Sequence, residues 1–168
     1  MSNYYKEIFK SPPKLVQHFR YDFILEKGTK KDPIKRWNLP DEIFFGHGAC
    51  PILAGVFLEI FPNFGFNAIK ITPKKDYPGN HIYVTNGKYA FDYHGLSLES
   101  TLKIEFFKAY KERFPHWEAE VENINYSLLN TKSLNQRKML GPDQYLHDPK
   151  IRGEKYINKL LDFPNAAV

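Results

Sequence analysis

One cysteine, one histidine and one aspartate stand out among 168 residues as a set able to do chemistry together: Cys50, His81 and Asp92. Cys50 follows the glycine-containing stretch Gly46-His47-Gly48-Ala49 and precedes Pro51. Proline suits the first position of a helix, because its ring fixes φ near the helical value and its missing N–H is not needed there. Cys50 is therefore expected at the N-cap, facing unpaired backbone N–H groups and the positive end of the helix dipole. Both favour a thiolate, the nucleophilic form of the side chain, and the same N–H groups suit an oxyanion on an attacked carbonyl. His81 and Asp92 bracket two β-rich runs joined at Asn86-Gly87, a dipeptide that readily takes the positive φ of a two-residue hairpin turn. A turn centred there pairs Thr85 with Lys88 and, counted outward, His81 with Asp92. Directly opposed side chains lie roughly 4.5–5.5 Å apart at Cβ on one face, close enough for a carboxylate to orient an imidazole. The expected roles are Cys50 as nucleophile, His81 as base and Asp92 as orienting group.

Other residues compete for parts of this scheme. His47, three residues before Cys50, is an alternative base or an oxyanion donor, and Gly48, Ala49 and Tyr83 are further substrate or oxyanion candidates. His94 takes the place of Asp92 as partner if the hairpin register slips by two. A zinc site built from His47, Cys50 and His81 has no short paired-ligand motif behind it, so no metal and no cofactor is expected. A single cysteine excludes an intramolecular disulfide and any multi-cysteine metal site.

These groups need elements to hold them. Cys50 to Phe61 reads as a helix in which only Glu59 is charged, and a helix apolar on nearly all sides is buried. Ala68–Thr72 reads as a strand, residues 74–80 as a loop, and residues 81–92 as the hairpin. Leu98, Leu102, Phe106 and Tyr110 recur every four residues and predict a helix over 98–114, closed by Pro115. A short helix is expected within 133–140, and Asp148-Pro149 is expected to cap a last one running to about Leu161. Residues 1–25 suggest one or two short helices, and Gly28–Pro40, with its prolines and lysines, an exposed connecting loop. The fold class is α+β: a buried central helix carrying the cysteine, packed on a small antiparallel sheet carrying the histidine and aspartate, with extra helices at both ends. One domain spans 1–168, with a basic extension over 1–40, a catalytic core over 41–115 and a helical segment over 116–168.

A glycine-rich loop, a Cys opening a buried helix, a His starting a strand and an Asp on the next strand, in that order, resembles the papain-like superfamily, in particular its transglutaminase-like and cell-wall-amidase-like branches. His81-Ile82-Tyr83-Val84 with Phe91-Asp92-Tyr93-His94-Gly95 is similar to a stretch of small bacterial and phage members. The resemblance implies a papain-like fold and a Cys-His-Asp triad on Cys50, His81 and Asp92. Papain-type proteases usually carry a Gln shortly before the Cys, where this chain has Phe44, Phe45 and His47, and the Cys-to-His spacing here is short. Both departures point away from ordinary endoproteolysis, toward deamidation, a narrow peptidase or amidase activity, or acyl transfer on an amide or thioester. Such compact folds also occur among bacterial toxins and effectors. A protein or peptide substrate is expected.

Composition frames the alternatives. With 42% hydrophobic and 16% aromatic residues the chain can fold by burial. Its longest apolar run, Pro51–Leu58, is too short to span a bilayer, and Met1–Lys10 has no apolar core of a signal peptide. Cytoplasmic synthesis without a membrane partner is expected, which leaves room for delivery by a specialised secretion system. The net charge of +5 resides entirely in residues 1–40, which hold nine Lys/Arg against four Asp/Glu. That arm fits an acidic partner, so a nucleic-acid-binding or RNA-cleaving protein is the alternative function. A catalytically inactive papain-like scaffold is a third.

Overall fold

Alternating and fully apolar β-runs in the middle of the chain build one antiparallel sheet of five strands: β1 (Asn67–Pro73), β2 (His81–Thr85), β3 (Tyr89–Asp92), β4 (Gly95–Leu98) and β5 (Ala119–Asn123), in the spatial order β4-β3-β2-β1-β5. The computed structural model describes Phe9 and residues 13–162. Six α-helices accompany the sheet among these residues: α1 (Pro33–Trp37), α2 (Asp41–Gly46), α3 (Cys50–Ile60), α4 (Glu99–Arg113), α5 (Thr131–Asn135) and α6 (Pro149–Leu160). The class is α+β, as the sequence leads one to expect.

Strand β2 is central and buried along its whole length, so both of its faces are covered. Ile82, Val84 and Phe91 point to one side, where Phe57 of α3 stacks on Phe91 with ring centroids 4.5 Å apart. His81, Tyr83, Ala90 and Asp92 point to the other, where Phe106 of α4 stacks on His81 at 5.2 Å. Residues 51–57 of α3 are all buried, because α6 covers the side turned away from the sheet. A Cβ on Gly55 would come within 2.7 Å of Leu129 Cγ, so the absence of a side chain lets the segment after β5 close over the helix. Asp148 caps α6 by accepting the Lys150 N–H, as its position before Pro149 predicts.

The hairpin register differs from the expected one by two residues. Thr85 pairs with Ala90 and Val84 with Phe91. The Asn86 N–H donates to the Tyr89 carbonyl at 3.1 Å, which makes Gly87 and Lys88 the turn residues. Asn86 does not adopt positive φ; its Oδ1 instead accepts the N–H groups of Lys88 and Tyr89, and Gly87 supplies the positive φ of 89°. A slip of two keeps every side chain on its own face. His81 and Asp92 thus remain on one face as diagonal neighbours rather than directly opposed ones.

Three other expectations are corrected. Residues 13–26 form no helix but an extended strap, whose Val16 N–H donates to the Leu96 carbonyl at 2.8 Å. The outer edge of β4 leaves backbone groups unpaired, and the strap covers them. Expected helical structure over 1–8 and 10–12 lies outside the described residues. Within Gly28–Pro40, α1 forms because Asp32 accepts the N–H groups of Ile34 and Lys35. The segment after 115, expected to be helical, begins with β5, which pairs with β1 from Ile69↔Asn123 to Pro73↔Ala119. No helix among the described residues is long and apolar enough to cross a membrane.

Phe57 is fully buried between Phe91 and Phe61. Phe57→Ala is expected to cost about 3–5 kcal/mol, read as a lower urea midpoint with an unchanged denaturant slope.

Candidate active site

Cys50 is the first residue of α3, with Ala49 as N-cap and Pro51 in the second position, one residue later in the helix than the proline predicts. The helix begins there because the Ala49 carbonyl already accepts the Leu53 N–H at 3.1 Å. Cys50 and Ile52 carry first-turn N–H groups that the helix cannot pair, and Pro51 between them has none. The sulfur-bearing residue is half-buried.

His81 opens β2, and its approach is pinned from below. Trp117 donates through Nε1–H to the Pro78 carbonyl at 2.8 Å and stacks on Tyr110. The imidazole lies flat on Phe106 with the ring edge of Tyr21 against it, and only 2% of the residue is exposed. His81 donates through Nε2–H to Asp92 Oδ2 at 3.0 Å. The Nδ1 side of the ring is free of Asp92, and Cys50, which lines the same cleft, lies near enough to act on the imidazole. Burial alone would pull the imidazole down, but the hydrogen bonds and charges of Asp92 and Cys50 outweigh it and push His81 up to about 9.

Asp92 is buried and receives four donors. On Oδ2 these are His81 Nε2–H and the Tyr21 hydroxyl at 3.3 Å. On Oδ1 they are the backbone N–H of His94 at 2.9 Å and its ring Nδ1–H at 3.0 Å. The far nitrogen of His94, Nε2, faces the Arg20 backbone, 2.8 Å from its N–H and 3.1 Å from its carbonyl. Burial favours the neutral acid, yet the two imidazoles and their hydrogen bonds hold Asp92 well below the usual carboxylate range. Burial and the same carboxylate hold the Tyr21 hydroxyl protonated far above the ordinary tyrosine range.

The structure thus brings Cys50, His81 and Asp92 together, with His81 and Asp92 hydrogen-bonded and Cys50 beside the ring. His94 does not replace Asp92 but supports it from the other oxygen. No family model matches this chain, and no curated protein or solved structure was found to be similar to it.

Tyr21 is the group that sequence reasoning missed. It lies in a stretch expected to be helical that is not, and no local signal ties it to a carboxylate 71 positions away. The remaining candidates separate clearly. His47, Gly48 and Cys50 line a cleft of about 1330 Å³ that also reaches His81. Burial, Lys30, Arg113 and His81 lower the His47 imidazole from its ordinary value. Gly48 turns its carbonyl toward the Tyr145 hydroxyl at 3.5 Å, and Ala49 is buried. Tyr83 does not line the cleft; it is fully buried and donates to Glu99 at 3.1 Å. Among the described residues no three His, Cys, Asp or Glu side chains are placed to hold a metal ion, so His47, Cys50 and His81 do not converge as ligands. A smaller hollow of about 420 Å³ between α3 and α6 holds none of these groups.

Two expectations follow from the electrostatics. The raised pKa of His81 stabilises the fold fully below its ordinary value of 6.5, and this contribution disappears as pH rises through about 9. The lowered Asp92 stabilises above its ordinary value of 3.8, and that contribution is lost as pH falls through its folded value. Both are complete between those two ordinary values. The thermal midpoint of the wild type is expected to fall between pH 6.5 and 9 by more than that of His81→Gln, a comparison that cancels the separate titration of His47. Tyr21→Phe, which removes one of four donors, is expected to cost about 1 kcal/mol in chemical denaturation.

Proposed function

We propose that the chain is a cysteine-dependent hydrolase or acyl transferase acting on the carbonyl of an amide or thioester. The observation that carries this reading is the line Cys50–His81–Asp92, sealed at the aspartate and histidine and open to a large cleft at the sulfur. In this scheme His81 takes the Cys50 proton on Nδ1, and the sulfur attacks the carbonyl carbon as the C=O electron pair moves onto oxygen. The first-turn N–H groups of α3 are positioned to receive that oxyanion. Collapse expels the amine or thiolate, which leaves with the proton held by His81, and an acyl-thioester remains on Cys50. Water or an acceptor amine then attacks, gives its proton to His81 and releases the sulfur. Asp92 holds the imidazole in the tautomer this requires and stabilises its cationic form.

The same arrangement supports a papain-like reading of the fold: a cysteine at the start of a helix packed on an antiparallel sheet, with the histidine on a central strand and the aspartate on its neighbour. Deamidation, narrow amidase or peptidase action and acyl transfer share these steps and differ only in leaving group and acceptor.

The test is alkylation of Cys50 by iodoacetamide, followed by mass spectrometry at pH 7. His81→Ala and His81→Gln are each expected to slow the reaction by about tenfold or more, because the thiolate loses its partner. Folding is checked by near-ultraviolet circular dichroism. A rate indifferent to both changes in folded protein overturns the reading.

A further inference from the structure

The cleft that opens at Cys50 has walls of one charge. Lys27, Lys30, Lys31 and Arg36 enter it from the segment around α1. Lys70 of β1, Arg113 at the end of α4, and Arg137 and Lys138 after α5 enter from three other parts of the fold. Glu26 is the single carboxylate on the lining among the described residues, and it is already paired with Lys35 at 3.7 Å. None of the eight cations is ion-paired to a carboxylate among the described residues. The arginines are nevertheless held in place. Arg36 donates to the Lys30 carbonyl, Arg113 to the Tyr21 carbonyl and Arg137 to the Ser133 carbonyl. Arg113 and Arg137 also lie over the rings of Tyr110 and Tyr126. Carbonyls and rings orient a guanidinium without neutralising it, so the positive field inside the cleft persists.

We propose that this cleft binds an acidic polypeptide segment and presents its amide or thioester carbonyl to Cys50. The inference rests on the cysteine-enzyme reading for the chemistry, but the charge pattern stands independently of it. Four separate elements supply the cations, a distribution that follows an extended polyanion rather than converging on one phosphate. Apolar residues between them, such as Ile24, Leu25 and Met139, suit the aliphatic parts of a peptide. A nucleic acid matches the charge but offers the thiol no amide or thioester linkage along its backbone. A polypeptide offers both charge and carbonyls. The positive cleft also raises the encounter rate of such a substrate and makes binding salt-dependent.

Binding can be separated from chemistry. The probes are fluorescein-labelled peptides of one length, rich in glutamate or in lysine, and an RNA oligonucleotide of the same net charge as the acidic peptide. Fluorescence anisotropy with the full chain carrying Cys50→Ala reads their affinities. The glutamate-rich peptide is expected to bind, to weaken as salt rises, and to weaken by about tenfold or more when Lys30→Glu and Lys138→Glu, both at exposed positions, are combined. The lysine-rich peptide is expected not to bind. Equal binding of the two peptides, indifference to salt and to the charge reversals, or tighter binding of the RNA each overturns the proposal. Failure of the acidic peptide to bind while alkylation still depends on His81 defeats this inference alone. Binding of the acidic peptide with His81-independent alkylation defeats the enzyme reading and leaves a peptide-binding groove.

Discussion

A carboxylate sealed away from water must be surrounded by donors, because an unpaired buried charge costs several kcal/mol. Asp92 meets that requirement completely, and the parts of the fold around it are arranged accordingly. Strand β2 brings His81 to one oxygen. The turn from β3 to β4 folds His94 back on the other oxygen, through both its backbone and its ring. The N-terminal strap delivers Tyr21 and holds the far side of the His94 ring through the Arg20 backbone. Tyr93 ties the strap down again, donating to the Arg20 carbonyl at 2.8 Å. Each carboxylate oxygen has two donors, so the cluster shares the charge among all four.

The imidazole of His81 inherits its properties from this arrangement. Phe106, Tyr21 and Tyr93 surround it with rings, which favour the neutral form, while Asp92 and Cys50 favour the charged one. The second pair of influences prevails, which favours the protonated ring. Its orientation is set by the bond to Asp92 and the flat face of Phe106.

How much of this is legible in the sequence depends on whether a signal is local. The start of α3 at Cys50-Pro51 and the cap of α6 at Asp148-Pro149 are visible, because proline and the capping side chain act on their immediate neighbours. The shared face of His81 and Asp92 is visible through strand alternation, although the turn chemistry of Asn86 moves the register by two. Strand β5 is not visible: its residues are largely exposed, and Val121 is its one large aliphatic. Nor is the strap, since its order comes from the edge of β4 and the surface of the Asp92 cluster and not from any period of its own. Tyr21 and the cations of the cleft belong to the same class of feature, residues brought together only by the folded chain.

The strap also sets the order in which the protein can be assembled. Its partners His94, Leu96 and Arg113 lie roughly seventy to ninety positions farther along, and the indole that pins the approach to His81 comes at residue 117. Contacts this distant in sequence close late, after the loop entropy between them has been overcome. A ribosome must therefore release well over half of the chain before Asp92 can be enclosed. Until then Cys50 has no finished partner. The thiol emerges early, and the cluster around His81 and Asp92 is completed only when the domain itself is.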